Sequence, residues 1–265
     1  MNKTQTETPI ELPDSSKVET IIEIKNLKKG FGKLEVLKDV SMNLYKGENL
    51  VVLGKSGTGK SVLIKCIVRL LESDSGTINV LGSEVSSLDR VKLRDLRKKI
   101  GFLFQSGALY DSMTVKENLE FALRRLRKDL TEKDIDEKVK DVLQNVGLSD
   151  VLNKMPSELS GGMRKRISLA RTIIVDPLIM LYDEPTTGLD PVTSNEISKL
   201  INLVQEKYKT SSIIITHDIE CARTTADRII MLKDGKVHAE GTLEEFETST
   251  DPIIISFFKP FEYTD

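Results

Sequence analysis

The sequence predicts an α/β fold built on a parallel sheet, into which an α-helical segment is inserted. Short apolar runs that suit buried strands, such as PLIMLYDEP, SSIIITHD and DRIIMLKDGKVHAEG, are separated by stretches with helical apolar spacing. Strands that alternate with helices are typical of parallel sheets covered by helices. Between Ser106 and Asp176 the strand pattern stops and helical spacing takes over, which indicates the insertion.

The composition is that of a globular protein with balanced charge. The chain has 265 residues, of which 39% are hydrophobic and 30% charged, and its formal net charge is −2. This balance gives no overall attraction to nucleic acid, so we expect no nucleic-acid partner. Two cysteines, Cys66 and Cys221, without a CxxC pair argue against a disulfide scaffold or a zinc site and favour a reducing compartment.

The N-terminal residues 1–18 are polar and lack the apolar core of a signal peptide, so we expect a flexible lead-in. No apolar run in the chain approaches the ~20 residues that cross a bilayer. We therefore expect a protein that stays where it is made and does not span a membrane itself.

The next part of the chain predicts several strands and one helix. ETIIEIKNLKKGF and EVLKDVSMNLYKGENLVVLG carry short apolar runs broken by Lys-Gly and Gly-Glu turns, and GTINVLG and KKIGFLFQ have the same character. After Gly59 the apolar positions have helical spacing as far as Leu71. These positions are Val62, Ile64, Cys66, Ile67, Leu70 and Leu71.

The inserted segment contains one strongly amphipathic helix, TEKDIDEKVKDVLQNVGL. Its apolar residues fall on one helical face. They are Ile135, Val139, Val142, Leu143 and Val146. Thr131 suits the N-cap, with Asp134 three residues later, and Gly147 suits the C-terminal end.

The stretch VVLGKSGTGKS matches G-x-x-x-x-G-K-[ST] completely, with an apolar strand before it and a helix after it. Because of this context, a chance glycine turn is disfavoured. Glycines let backbone N–H groups surround phosphates, Lys60 brings positive charge to the β- and γ-phosphate oxygens, and the Ser61 hydroxyl suits Mg²⁺. We therefore expect a nucleoside triphosphate with Mg²⁺ on Gly54, Lys55, Ser56, Gly57, Thr58, Gly59, Lys60 and Ser61.

Two further strands end in polar residues that suit phosphate hydrolysis. Asp183 and Glu184 follow LIMLY, and ligands of open α/β sheets bind at the carboxyl ends of the strands. Asp183 is the candidate Mg²⁺ carboxylate, and Glu184 is the candidate general base for the attacking water. His217 ends SSIIITHD and is a candidate contact to the γ-phosphate. A solvent-exposed strand end and an ordinary surface or core histidine are the alternatives.

A second glycine-containing helix start, LSGGMRKR, also suits phosphate. In order, the chain contains Phe31, the Gly54 loop, Gln105, LSGGM, the acidic pair, GLD and His217. This order and spacing resemble the ATP-binding cassette (ABC) transporter ATPases over roughly residues 20–245. The resemblance implies ATP as the substrate and a P-loop NTPase core in a domain over 19–245. It also implies an N-terminal antiparallel β subdomain, a helical subdomain at about 106–176, and a C-terminal extension over 246–265.

The resemblance also explains why one chain carries two phosphate cradles. It implies that two copies dock head to tail, so that the Ser160 hydroxyl and the Gly161 and Gly162 amides complete the partner's ATP site. The helix dipole would then point at the γ-phosphate. The basic residues of this segment add positive field, although at least one of them is expected on a solvated face; they are Arg164, Lys165 and Arg166.

Further family positions match residues of this chain. Phe31 matches the aromatic that stacks on adenine, the alternative being a core phenylalanine. Gln105 matches the residue that touches Mg²⁺ and the attacking water while its loop reaches the membrane subunit. Asp190 matches the aspartate that steadies the dimer interface. Met163 departs from the glutamine of many relatives, which suggests a subfamily.

The stretch FQSGALYDSMTVKENL, together with LSGGM, resembles the ATPase subunits of Mla-type (MCE-associated) phospholipid transporters. The generic TTGLDP departs from that subfamily. The resemblance implies transmembrane permease subunits as partners, with an MCE-type substrate-binding protein and a small regulatory subunit as further partners. It places the chain peripherally at the cytoplasmic face of the inner (plasma) membrane. An ATPase for a polar amino-acid or other small-solute importer is the alternative. A soluble ABC ATPase for DNA or ribosomes is disfavoured, since the chain has one cassette and no heptad run.

The C-terminal IIISFFKPFEY is more apolar than a tail in water should be. Two interpretations stay open: it packs on the neighbouring ATPase copy, or it completes its own domain.

Overall fold

The computed structural model describes residues 19–258, so the predicted lead-in and the last residues, 259–265, lie outside the described residues. The strands are β1 (Thr20–Phe31), β2 (Leu34–Tyr45), β3 (Asn49–Leu53), β4 (Ser75–Val80), β5 (Ser83–Glu84), β6 (Ile100–Leu103), β7 (Ile179–Asp183), β8 (Ser211–Thr216), β9 (Arg228–Lys233) and β10 (Lys236–Gly241). The helices are α1 (Lys60–Ile67), α2 (Arg90–Arg97), α3 (Val115–Leu126), α4 (Glu132–Asn145), α5 (Gly161–Ile173), α6 (Pro191–Tyr208), α7 (Ile219–Thr225), α8 (Leu243–Glu247) and α9 (Pro252–Phe258). Within residues 19–258 no helix is both long enough and apolar enough to cross a membrane.

The strands form one sheet in the order β5-β4-β1-β2-β10-β9-β3-β8-β7-β6. The strands from β9 through β3, β8 and β7 to β6 are parallel, as the alternation of strands and helices predicts. β1, β2, β4 and β5 are antiparallel. The two parts meet where β10 pairs with β2 at Lys236 and Asp39. The predicted α/β fold with antiparallel N-terminal strands is therefore confirmed.

The parallel part of the sheet has a hydrophobic core on each face. Alternate residues of a strand point to opposite faces, and β3 shows this directly. Val51 and Leu53 belong to the core that contains the helical segment, whereas Leu50 and Val52 belong to the core formed with α1 and the antiparallel strands. Because both faces are covered, all five residues of β3 are buried.

The helical segment lies between β6 and β7 and is built from α3, α4 and α5. The predicted apolar face of α4 is buried in the first core, including Ile135 and Val139. Thr131 and Asp134 form the predicted capping arrangement, in which each side chain bonds the other residue's backbone N–H. Gly147 follows α4 with φ 70°, which suits the predicted helix end.

The predicted continuation of α1 to Leu71 is wrong, because the helix ends at Ile67. Arg69 has the left-handed φ of 52°, which stops the helix. The Arg97 guanidinium then donates hydrogen bonds of 2.9 Å to the carbonyls of Val68 and Arg69. These bonds satisfy carbonyl groups that a helix end leaves without partners.

The C-terminal helix α9 packs against its own domain. Ile254 and Phe258 are buried in the first core, and the Phe258 ring centroid lies 5.9 Å from that of Phe246. Of the two interpretations of the apolar C-terminus, the described part follows the second, since its apolar face completes the core of the same chain.

Candidate active site

The loop between β3 and α1 has a backbone that requires glycine. Gly57 and Gly59 have φ values of 84° and 98°, which L side chains rarely adopt. Neighbouring atoms also leave no room for a side chain: a Cβ on Gly59 would lie 2.8 Å from Leu37 Cδ2, and one on Gly54 would lie 2.7 Å from the Leu232 carbonyl oxygen. The loop therefore presents main chain rather than side chains to whatever it binds.

Lys60 is held at the centre of this loop. Its side chain is 5% exposed, and its ammonium donates hydrogen bonds to the carbonyls of Gly54 at 2.6 Å and Lys55 at 3.1 Å. The same ammonium lies 3.3 Å from Glu184 Oε1. The positive charge is thus fixed between the phosphate loop and the acidic pair.

The acidic pair stands at the carboxyl end of β7. Ser61 Oγ donates a 2.8 Å hydrogen bond to Asp183 Oδ1, which joins the start of α1 to the end of β7. Both carboxylates are buried, with Asp183 5% and Glu184 8% exposed. Buried carboxylates need charged or hydrogen-bonding partners, and here Ser61 and Lys60 supply them.

Glu184 is held by partners on both sides of its carboxylate. Oε1 faces Lys60, while Oε2 lies 2.8 Å from His217 Nδ1. Its backbone has φ 49°, an uncommon value for a residue other than glycine, and its N–H donates to the Ile215 carbonyl at 2.9 Å. Uncommon backbone conformations of this kind cluster at functional sites.

A cavity of about 340 Å³ opens at this edge of the sheet. Its walls bring together the phosphate loop, Gln105, Glu184 and His217, as the sequence predicts. The lining residues are Val36, Ser56, Gly57, Gly59, Lys60, Ser61, Val62, Gln105, Glu184 and His217. The arrangement places a cation, a carboxylate and an imidazole around one open space.

Phe31 lies beside this cavity rather than in its wall. It ends β1 and pairs with Leu34 of β2, two residues before the cavity residue Val36. Phe31 is 47% exposed, so the alternative of a core phenylalanine is wrong. The Lys29 ammonium lies 5.4 Å from the ring centroid, and this exposed ring is free to stack on a flat ligand.

Ser160, Gly161 and Gly162 do not line the cavity; they begin α5 in the helical segment. Ser160 caps the helix, its Oγ accepting a 3.2 Å hydrogen bond from the Met163 N–H. A Cβ on Gly161 would contact only Leu189 Cδ2 at 3.6 Å, whereas one on Gly162 would lie 2.5 Å from Thr193 Cγ2. Gly162 is therefore required by the packing of its own chain, a reason that the sequence did not reveal.

Arg164 and Arg166, the two predicted contributors of positive field on α5, have partners within the chain. Arg164 is exposed and donates to the Leu159 carbonyl at 2.7 Å. Arg166 pairs with Glu196 at 2.5 Å. These contacts direct both side chains toward their own chain.

Lys165, the third of these residues, is buried at 7% exposure, and its ammonium donates to the Gln105 carbonyl. Burial lowers the pKa of Lys165, while the nearby Asp183 and Glu184 act in the opposite direction. This contact between α5 and the Gln105 loop is not predictable from the sequence, because nothing in the local pattern signals it.

Comparison with known proteins gives the family. Residues 37–187 match the ABC transporter family. Protein TRIGALACTOSYLDIACYLGLYCEROL 3, chloroplastic, of Arabidopsis thaliana is 39% identical over 256 residues, which cover 90% of this chain and 73% of that protein. The methionine import ATP-binding protein MetN of Clostridium tetani is 37% identical, and the alignment covers 85% of this chain and 70% of that protein. The probable ribonucleotide transport ATP-binding protein mkl of Mycobacterium leprae is 40% identical, and the alignment covers 89% of this chain and 68% of that protein.

Solved structures agree in fold, and one of them contains bound ADP and Pi. The dimeric post-hydrolysis structure of the ATP-binding cassette MJ0796 bound to ADP and Pi has a TM-score of 0.76 and 32% identity, covering 84% of this chain and 98% of that one. The cbiO1 structure from Clostridium perfringens, part of the ABC transporter complex cbiONQ, has a TM-score of 0.78 and 29% identity. The match covers 85% of this chain and 90% of that one. Fold, phosphate loop and relatives thus agree: this chain belongs to the ABC transporter family, and it is an ATP-binding, ATP-hydrolysing transport ATPase.

Proposed function

We propose that this chain hydrolyses Mg²⁺-bound ATP as a head-to-tail dimer and thereby drives a membrane permease that moves phospholipid or another lipid. The observation that carries the catalytic part is the position of Glu184, whose carboxylate lies between Lys60 and His217 in the cavity wall. A carboxylate held in this way accepts a proton from an attacking water, while Lys60 and the loop N–H groups stabilise charge on the phosphate oxygens.

The site contains the oxygen donors that Mg²⁺ prefers. Ser61 Oγ and Asp183 Oδ1 are 2.8 Å apart, and Gln105 lines the same cavity. We propose that these three residues hold the ion, directly or through water. When bound, Mg²⁺ would neutralise negative charge on the β- and γ-phosphate oxygens.

The same proposal assigns the remaining site residues to a dimer. Phe31 stacks on adenine, and His217 contacts the γ-phosphate while its Nδ1 holds Glu184. Ser160, Gly161 and Gly162 complete the ATP site of the partner copy, which is consistent with their position outside the cavity. Asp190, which caps α6 beside them, steadies the contact between the copies. The dimeric MJ0796 structures support this arrangement.

A cleft of about 250 Å³ between α3, α5 and β6 is our proposed permease contact. Tyr110 and Phe121 meet edge to face there, with ring centroids 5.2 Å apart, and they are 45% and 36% exposed. Arg125 and Arg171 lie over these rings, and no carboxylate is among the lining residues. Exposed aromatic and basic groups of this kind suit a partner segment with apolar and acidic side chains.

With this contact, the location that we propose for the chain is peripheral, at the cytoplasmic face of the inner (plasma) membrane. The relationship of cbiO1 to the complex cbiONQ supports a permease partner. An MCE-type substrate-binding protein and a small regulatory subunit complete the proposed assembly, on the strength of the resemblance of SGALYDSMTVKENL to the Mla-type subunits.

Lipid is the proposed substrate class, because that resemblance agrees with an Arabidopsis relative whose name contains a galactolipid. A small-solute importer is the second candidate, and the relative named for methionine import favours it. Purification of the chain from detergent-solubilised membranes separates the two. An MCE-type companion supports lipid transport, and a periplasmic solute-binding companion supports the second candidate.

The Glu184→Gln variant tests the catalytic and dimeric parts. Glutamine fills the same space but cannot accept the proton, so we expect ATP turnover to fall by about 100-fold or more. ATP should then hold the variant as a dimer in light scattering. Brisk hydrolysis would exclude Glu184 as the base, and a monomer in saturating ATP would exclude the shared site.

A further inference from the structure

Lys165 is a buried cation that neither the phosphate loop nor the proposed ion site uses. It lies in the second turn of α5 and is 7% exposed. A lysine buried to this degree requires a strong partner, and Lys165 donates to the main-chain carbonyl of Gln105. That carbonyl belongs to Gln105, which is one of the residues that line the ATP cavity.

A second contact joins the same loop to α5. A Cβ on Gly107 would lie 2.6 Å from Ser168 Oγ, so the loop backbone lies directly against the helix. Gly107 and Ala108 have φ values of 77° and 52°, which turn the chain sharply at this point. Lys165 and Ser168 are thus two points of α5 on which the Gln105 loop rests.

We propose that Lys165 is a positioning residue that fixes the Gln105 loop to α5, so that Gln105 and the Ser160–Gly162 segment move together. Gln105 faces the ATP of its own chain, and the Ser160–Gly162 segment serves the ATP of the partner. This inference rests on the shared-site dimer of the proposed function. It adds a mechanical link between the two ATP sites, to which the hydrogen bond from Lys165 and the packing of Gly107 against Ser168 both contribute.

The direction of the effect follows from geometry. Without the bond, the loop carbonyl loses its partner, and Gln105 no longer follows α5 when the copies close. The phosphate loop is untouched, so ATP binding to the single chain should be preserved. Misplacement of a positioned group by about 1 Å costs as much as 100-fold in rate.

The test compares Lys165→Met, which keeps the buried volume but cannot donate, with Lys165→Arg, which retains a donor. We expect Lys165→Met to lower kcat about 10-fold while KM and the Kd for a fluorescent ATP analogue stay within about twofold. Lys165→Arg should recover most of the rate. Lys140→Met, at an exposed lysine of α4, is the matched control and should keep the parental rate.

Hydrogen exchange of the native proteins supplies a second measurement. Peptides covering residues 104–110 should exchange faster in Lys165→Met, whereas peptides covering the phosphate loop should not. Parental kcat together with unchanged exchange in the loop would overturn the inference. A general increase in exchange, or a weakened ATP Kd, would also overturn it, since it would show a purely structural role.

The Glu184→Gln variant, which keeps Lys165, separates this inference from the dimer itself. If Glu184→Gln alone fails to dimerise with ATP, the proposed function fails. If it dimerises, and Lys165→Met in the otherwise native chain hydrolyses ATP at the parental rate, only the role of Lys165 fails.

Discussion

Gly162 on α5 lies directly against Thr193 on α6. A Cβ added to Gly162 would be 2.5 Å from Thr193 Cγ2, while the Thr193 hydroxyl donates a 2.6 Å hydrogen bond to Asp190 Oδ2. Gly161, one residue earlier, has open space around it apart from Leu189. The two glycines of this segment therefore have different physical reasons to be glycine, and the difference can be measured.

Gly162→Ala should destabilise the single chain, because the added methyl meets Thr193. The expected loss in the free energy of unfolding is about 1–3 kcal/mol, measured by urea denaturation without nucleotide. Gly162→Ala with Thr193→Ser should recover most of it, since serine lacks Cγ2 and keeps the hydroxyl on Asp190. Gly161→Ala should leave the unfolding free energy within about 0.5 kcal/mol and slow ATP turnover instead. Equal stability of the two single variants would contradict this distinction.

His217→Ala should slow ATP turnover with little effect on stability. The imidazole is 54% exposed but holds Glu184 Oε2 at 2.8 Å, so its loss frees the carboxylate on one side. Steady-state assays should show kcat reduced by about 100-fold. His238→Ala is the control, because His238 lies on β10 beside Asp251 and lines no part of the cavity. An equal fall in kcat in His238→Ala would show that the effect of His217→Ala is not local to the cavity.

Asn118→Leu should destabilise the helical segment. Asn118 is fully buried; its Oδ1 accepts from the Tyr110 N–H at 2.8 Å, and its Nδ2 donates to the carbonyls of Tyr110, Met113 and Thr114 at 3.0–3.1 Å. Leucine leaves the Tyr110 N–H and the Met113 carbonyl without their side-chain partner, whereas the carbonyls of Tyr110 and Thr114 keep the backbone N–H groups of Met113 and residue 118. The expected cost is about 3 kcal/mol in urea denaturation.

Asn195→Leu provides the comparison for this change. Asn195 is exposed on α6, so the same substitution there should shift the unfolding free energy by less than about 0.5 kcal/mol. The prediction is contradicted if the two leucine variants unfold at the same urea concentration.

Both cysteines should resist thiol reagents in the folded chain. Burial raises the pKa of Cys66 and of Cys221 to about 11, from an ordinary 9.0. At pH 8 about one thiol in a thousand is then ionised, and the thiolate is the reactive form. Ellman's reagent should therefore label the native chain slowly and both thiols rapidly in denaturant.

The same pKa shifts set a pH dependence. Between pH 9 and pH 11 the unfolded chain loses thiol protons that the folded chain keeps, so the free energy of unfolding falls as pH rises. Replacing both cysteines with alanine should flatten this dependence. A slope unchanged by the double replacement would assign it to other groups.

Phe258→Ala should unfold more easily by about 3 kcal/mol, because the ring fills the core of its own chain beside Phe246. Dimerisation of the Glu184→Gln background should persist when Phe258 is also replaced, provided that the measurement is made well below the melting temperature. If the dimer is lost while the free energy of unfolding is unchanged, α9 packs on the neighbouring copy instead.

The sequence predicts the periodic parts of the fold well, because burial imposes a repeat on the chain. The strand runs before Asp183 and His217, and the apolar face of α4, lie where their spacing indicates. The end of α1 is not predictable in this way, since Arg97, distant along the chain, supplies the bonds at that end.

The residues of the site likewise divide into those that the sequence predicts and those that it does not. The phosphate loop, Glu184 and His217 are found from motif and strand ends, and one cavity holds them. The left-handed backbone of Glu184, the contact of Gly162 with Thr193 and the bond from Lys165 are contacts or conformations set by tertiary packing. No local pattern encodes them, so they follow only from the three-dimensional arrangement.

The central sheet separates two hydrophobic cores, and β3 contributes Leu50 and Val52 to one and Val51 and Leu53 to the other. Side chains of the two cores point to opposite faces of the sheet, so substitutions that are far apart in different cores are expected to have additive effects on stability. If the helical segment contacts the permease as proposed, it can accumulate substitutions over evolutionary time without a packing defect in the core that contains α1. For the same reason, a chimaera that carries the helical segment of a relative with a different transported substrate is expected to fold.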